Sequence, residues 1–265
     1  MSGIGEGETL TILVDINPVS WLIRKSNTQQ GEVEFNQTIE ALLAFMNSFL
    51  FSDSYNKVFF ITYGNGPSQC IFPMQDNFEE SAESYSRQVF VLNNHIKNKI
   101  IAGITKKDEK PSSLEQALSL AMCLMNRYHH ISKSQRILIF NLSQSPIKNY
   151  ISFMNTIYCS KIRWVIDVCT VYPTTPFLSQ ASQLTQGKFV RLQNSIDLYS
   201  MLLYSILPNP SIRDQISHHE NQYSDCKAPC SCHGRPITKD IAYVCSVCLA
   251  IYCEKVDHCD HYNMK

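Results

Sequence analysis

The chain has little charge and no excess of either sign. Lys plus Arg number 23, Asp plus Glu number 23, and charged residues make up 17% of its 265 positions. A nucleic-acid-binding surface normally shows as a basic excess, so this balance argues against one as the main activity. Disorder is excluded by the 44% hydrophobic content, which can fill a core. No apolar run approaches the roughly 18–20 residues that cross a bilayer. The opening MSGIGEGE lacks the basic-then-apolar pattern of a secretory signal. The expectation is a soluble protein inside the cell. Internal repeats and low-complexity stretches are absent. So are a GxxxxGK[ST] phosphate loop and a Gly-x-Ser-x-Gly nucleophile elbow. Gly5 and Gly7 precede the first predicted strand rather than follow it, so they are no dinucleotide fingerprint. His95, His129 and His130 lie in helix-like or loop surroundings without matching acids.

What is present is alternation. Leu10 to Asp15, Lys57 to Tyr63, Arg136 to Leu142 and Arg163 to Val171 are apolar runs of strand length, and Lys188 to Leu192 is a shorter one. Between them, Asn36 to Phe51 places Ile39, Leu42, Leu43, Met46, Phe49 and Leu50 on one helical face. Residues 81–104, Leu114 to Met125, Tyr150 to Tyr158, Phe177 to Thr185 and Ser195 to Leu207 also read as helices. Ser112 and Glu115 predict a capping box at the start of the Leu114 helix. Near-continuous apolar strands imply a sheet covered on both faces. The predicted fold is a doubly wound, mainly parallel α/β domain over 8–208. Pro208, Pro210 and the polar run that follows predict a linker over 209–225.

The remaining segment, 226–265, is set apart by cysteine. Four of the eleven cysteines, Cys70, Cys123, Cys159 and Cys169, are scattered; Cys123 and Cys169 sit within apolar stretches and read as small buried hydrophobes. The other seven crowd between Cys226 and Cys259. In a reducing compartment such crowding points to metal rather than disulfides. Cys230 and Cys232 form one close pair, Cys245 and Cys248 another, and twelve residues separate Cys232 from Cys245. Four thiolates drawn from such pairs close a structural zinc site and leave no position for substrate. Leu249, Ile251 and Tyr252 supply the apolar core of this module. Cys253 and Cys259, with a histidine from His258 or His261, could hold a second zinc. Cys226 is not expected to be a ligand.

One further candidate lies at a strand end. In open α/β sheets ligands sit beyond the carboxyl ends of the strands, and Asp15, Asn141 and Ser143 are placed there. Asp15-Ile16-Asn17-Pro18 followed by Trp21, together with Cys230-Ser-Cys232-His233 and the stretch Tyr243 to Cys253, resembles the family of smaller von Willebrand A-type core subunits of general transcription factor IIH. The likeness spans nearly the whole chain, through Gln180-Ala181 to Gly187 and Leu207-Pro208.

The resemblance implies a von Willebrand A-like fold, whose rim carries a metal-ion-dependent adhesion site built on Asp-x-Ser-x-Ser. Here Asn17 and Val19 replace the serines, and Asn141-Leu142 stands where an Asp-Gly pair is usual. No Mg2+ is expected near Asp15, because a hard cation needs several oxygen ligands. Asp15 and Asn17 are expected instead to fix the loop through backbone amides. The family usually ends its module with Cys-x-x-Cys, whereas Cys259 is followed by Asp260-His261-Tyr262. The implied role is a non-catalytic scaffold of the nuclear IIH core complex, which serves RNA polymerase II initiation and nucleotide excision repair. Its implied partners are the larger von Willebrand A/zinc-finger subunit and other core subunits, with no membrane and little direct nucleic-acid contact. Two other readings stay open. A RING-like ubiquitin ligase element is disfavoured by the irregular ligand spacing. A DNA-binding zinc ribbon is disfavoured by a tail whose basic residues are Lys227, Arg235, Lys239, Lys255 and Lys265.

Overall fold

The computed structural model describes residues 7–26, 34–73, 85–106, 112–127, 132–143, 147, 149–171, 176–192, 194–216, 230, 232–233, 241–246 and 250–255. Six strands form one sheet: β1 (Gly7–Asp15), β2 (Lys57–Tyr63), β3 (Gln69–Phe72), β4 (Ser132–Asn141), β5 (Val165–Thr170) and β6 (Phe189–Arg191). Their order across the sheet is β3-β2-β1-β4-β5-β6. All neighbours run parallel except β3, which pairs antiparallel to β2 at one edge. Ile12 lies opposite Phe60 on one side and Leu138 on the other, so the most apolar stretches meet at the sheet centre.

Side chains alternate between two cores, as the period of a strand requires. Leu10, Ile12, Val14, Leu138 and Phe140 face one layer, while Leu13, Ile137 and Ile139 face the other. Among the described residues eight α-helices connect or follow these strands: α1 (Pro18–Ser26), α2 (Phe35–Ser52), α3 (Tyr85–Thr105), α4 (Leu114–Arg127), α5 (Tyr150–Ser160), α6 (Pro176–Leu184), α7 (Leu198–Ser205) and α8 (Pro210–Ile216). Helices α2, α3 and α7 cover the first face through Leu42, Phe45, Ile96 and Leu202. Helices α4, α5 and α6 cover the second through Leu118, Phe153 and Leu178. Each such fully buried side chain contributes about 1.5–3 kcal/mol of transfer free energy. The doubly wound, mainly parallel expectation is met.

Three details differ from the sequence reading. Strand β3 and helix α1 were not anticipated. β3 is short and only half-buried or exposed. α1 turns Val19, Leu22 and Ile23 outward and buries Ser20 and Trp21 instead. Second, α4 starts at Leu114, which makes Ser113, not Ser112, the capping residue. The Gln116 side chain accepts from the Ser113 N–H at 3.3 Å. Ser112 accepts from the Gly64 N–H at 3.1 Å, and Glu115 from the Asn149 N–H at 2.6 Å. Both residues of the expected box therefore tie α4 to other segments. Third, of the scattered cysteines only Cys169 is buried; Cys70 is half-buried, and Cys123 and Cys159 are exposed. Cys123 falls off the Leu114–Ala117–Leu118–Ala121–Met125 stripe that faces the core.

The amino-terminal end of the sheet is closed by charge. The buried Arg213 of α8 donates to both Asp167 carboxylate oxygens at 2.6 and 2.7 Å. Arg136 of β4 donates to Glu8 at 3.0 Å and to the carbonyls of Ile206 and Pro208 at 2.6 and 3.0 Å. Arg213 also takes the carbonyls of Ile206 and Pro208. Two guanidinium groups thus satisfy the carbonyl of Ile206, the C-cap of α7, and that of Pro208 just beyond it. The stretch expected to be a linker begins as this docked α8; residues 217–229 lie outside the described ones. In the module, β7 (Tyr243–Val244) and β8 (Ile251–Tyr252) form an antiparallel hairpin.

Candidate metal centre

At the carboxyl end of β1, Asp15 is fully buried. One carboxylate oxygen accepts from the Asn17 N–H at 2.9 Å, the other from the N–H groups of Ser143 and Leu142 at 2.8 and 3.3 Å. The Asn17 side chain accepts from the Val19 N–H at 3.1 Å, and its amide donates to the Ser143 hydroxyl at 3.4 Å. Trp21 donates its indole N–H to the Asp15 carbonyl at 3.2 Å. Asp15 and Asn17 therefore fix the first loop through backbone amides, as their residue types led one to expect. Gly64 approaches so closely that a Cβ there would lie 2.5 Å from Asp15 Oδ1, and its φ of +99° is one that glycine alone adopts without strain. Burial pushes the Asp15 carboxyl above its ordinary value, against the hydrogen bonds from Ser143, Asn17 and Leu142 that favour the anion. Val19 is exposed and offers no donor. This rim is a knot of internal hydrogen bonds.

The donor-rich site lies in the module. Cys230, Cys232, His233 and Cys253 bring their ligand atoms within 4.8 Å of one another. The Cys230 and Cys232 sulfurs are 2.8 Å apart. His233 Nδ1 lies 3.6, 3.1 and 3.5 Å from the sulfurs of Cys230, Cys232 and Cys253. Around tetrahedral zinc, with bonds of 2.0–2.3 Å, neighbouring ligand atoms sit about 3.5–3.8 Å apart. Two of the three imidazole distances match that spacing, and three soft sulfurs with one imidazole are a donor set that zinc favours. The Cys253 N–H also donates to the Cys230 sulfur at 3.4 Å, which supports a thiolate there. Burial disfavours the Cys230 anion, but the hydrogen bonds of Cys232, Cys253 and His233 outweigh it and bring the thiol down to about 6. Sharing that proton pushes Cys232 up to about 11. This cluster can hold a metal ion.

Of the predicted ligands, the structure brings together Cys230, Cys232 and Cys253. Cys245 stands outside the group, half-buried beside Ala250. Cys248 and Cys259 lie outside the described residues. His233 was not among the predicted ligands, although its position next to Cys232 was a usable signal. Among the described residues the apolar core of the module is Ala250 and Tyr252, and Ile151 of α5 packs on it; Leu249 lies outside them. No helix among the described residues is long and apolar enough to cross a membrane.

Comparison with known proteins gives a consistent result. The family model described as transcription factor Tfb4 matches residues 7–262. The general transcription and DNA repair factor IIH subunit tfb4 of Schizosaccharomyces pombe is 26% identical over 97% of this chain and 88% of its own length. General transcription factor IIH subunit 3 of Dictyostelium discoideum is 31% identical over 91% of this chain and 71% of its own length. The solved TFIIH p34 N-terminal domain superposes with a TM-score of 0.62 at 22% identity, covering 75% of this chain and 97% of that one. The SpRpn10 VWA domain does so with a TM-score of 0.53 at 14% identity, covering 76% and 96%. The fold is von Willebrand A-like.

Proposed function

This chain belongs to the transcription factor Tfb4 family, and on that premise we propose that it acts as a non-catalytic scaffold subunit of the transcription factor IIH core. In this reading it works in the nucleus, in transcription initiation and nucleotide excision repair. Its binding partner is the larger von Willebrand A/zinc-finger subunit, which it holds in the complex. The match over 7–262, carried through the α/β domain and the module alike, is the observation that carries the reading.

The chemistry of the sites supports a structural role. The Asp15 carboxylate, which would begin an adhesion-type metal site, is spent on three backbone amides. A cation would have to compete with those bonds, and Val19 has nothing to offer it. In the module, Cys230, Cys232, His233 and Cys253 would hold zinc, and the predicted Cys245, Cys248 and Cys259 remain candidates for the same or a second ion. A closed set of four protein ligands supplies folding free energy rather than a reaction centre. The rigid sheet then presents its connecting loops and outer helices for docking.

The test is co-expression of the full chain with each of the other core subunits of factor IIH in turn, followed by affinity capture. Stoichiometric retention of the larger von Willebrand A/zinc-finger subunit is the expected result. Retention of none of the subunits would contradict the proposal.

A further inference from the structure

We propose that the metal ligands of the module are interleaved in sequence: Cys230, Cys232, His233 and Cys253 share one ion, and Cys245, which lies between them in the chain, is excluded from it. This deepens the reading that the module binds zinc and rests on it.

The hairpin supplies the argument. Tyr243 pairs with Tyr252 and Val244 with Ile251, and the Cys245 N–H donates to the Ala250 carbonyl at 2.9 Å. Cys245 therefore stands at the turn end of the hairpin, opposite Ala250. Cys253 follows β8 at the open end. Ile251 and Tyr252 separate Ala250 from Cys253, and three steps along a strand span about 10 Å between Cα atoms. Ligand atoms on one tetrahedral zinc lie no more than about 3.8 Å apart. The Cys245 sulfur accordingly stands outside the group whose ligand atoms all come within 4.8 Å of one another.

The surroundings agree. Cys245 packs on the apolar pair Ala250 and Tyr252, against which Ile151 of α5 also packs. Cys253 instead gives its N–H to the Cys230 sulfur and places its own sulfur 3.5 Å from His233. The two cysteines thus have separate neighbourhoods. The consequence for the sequence is specific. The Cys245–Cys248 pair is left for a second ion, and the downstream soft donors, Cys259 and its flanking histidines, are the residues of the right chemistry to join it.

The direct test is 113Cd substitution in the full chain, read by cadmium–proton correlation to the cysteine β-protons. It needs no mutation and so cannot fail through misfolding. One cadmium resonance correlated with Cys230, Cys232 and Cys253 together is expected. A single cadmium correlated with Cys230, Cys232, Cys245 and Cys248 would overturn the proposal while leaving the zinc reading intact. Absence of any bound cadmium or zinc would overturn both.

Double substitutions give an independent check through zinc content. Cys230→Ser with Cys253→Ser should lose the same single zinc that either change loses alone. Cys230→Ser with Cys245→Ser should lose two. The opposite pattern would overturn the interleaved order.

Discussion

The α/β domain and the cysteine-rich module are held together by different physics. The domain lays an apolar sheet between two helical layers, and residues such as Leu42, Phe60, Phe140 and Phe153 are fully buried. Backbone groups at the two ends of its sheet are tied from within, by Asp15 at one end and by Arg136 and Arg213 at the other. The module buries Cys230, Ala250 and Tyr252 among its described residues, and its strands are two residues long. Ordering a segment of this length costs about 1–2 kcal/mol per residue, and on the reading that the Cys230, Cys232, His233 and Cys253 cluster takes up zinc, coordination supplies part of what offsets it. A domain that folds by burial tolerates loss of a surface contact. A module that folds by coordination loses order around an ion when a donor of that ion, or the ion itself, is removed.

The contrast can be broken at graded points. The largest effect within the domain is expected at the charged end. Arg213→Ala leaves Asp167 buried without its bidentate partner, which should cost about 3–5 kcal/mol in urea unfolding. Replacing Arg213 and Asp167 together with Met and Leu should cost much less, because no charge is then stranded. Asp15→Ala comes next. Three backbone N–H groups lose their acceptor, at about 3 kcal/mol in total.

The same residue gives a pH test. Burial raises its pKa above the ordinary 3.8, so the folded chain binds this proton more readily than the unfolded chain does. Its contribution to stability is full below pH 3.8 and is lost as pH rises through the folded value. Asp15→Ala should remove that acid-range slope from urea midpoints measured against pH. Ile151→Ser is smaller: it weakens the seat of Tyr252 on α5 by about 1 kcal/mol. Hydrogen exchange should quicken at Ile251 and Tyr252 while β1 and β4 are unchanged. The smallest change is Leu22→Ser on the outer face of α1. It should alter stability by no more than about 0.5 kcal/mol, and a drop of several degrees in Tm would mean that this face is covered in the folded chain.

How far the sequence could be read follows the same division. Strands β1, β2, β4 and β5 were legible because each is a near-continuous apolar run, and α2 and α4 because their apolar positions recur at helical spacing. β3 was not, since Gln69, Cys70, Ile71 and Phe72 form too short a run and pair only at an edge. α1 was hidden because its apolar residues face outward, which inverts the usual signal. The rim was legible in detail: Asn17 and Val19 show in the sequence that two oxygen donors of the usual site are missing. In the module, spacing pointed to a cluster of metal-ligating residue types but not to which of them meet. That grouping depends on a hairpin whose strands are too short to announce themselves, and on His233, which is a donor only because of where Cys253 returns.

The central claim is that coordination holds the module and burial holds the domain. The most direct measurement is hydrogen exchange on the full chain, with and without a strong zinc chelator under reducing conditions. The account predicts that protection at the amides of Cys245, Ile251 and Tyr252 is lost on chelation, while protection in β1, β2 and β4 stays as it was. Unchanged protection in the module after the metal is removed would contradict it, as would the loss of both regions together.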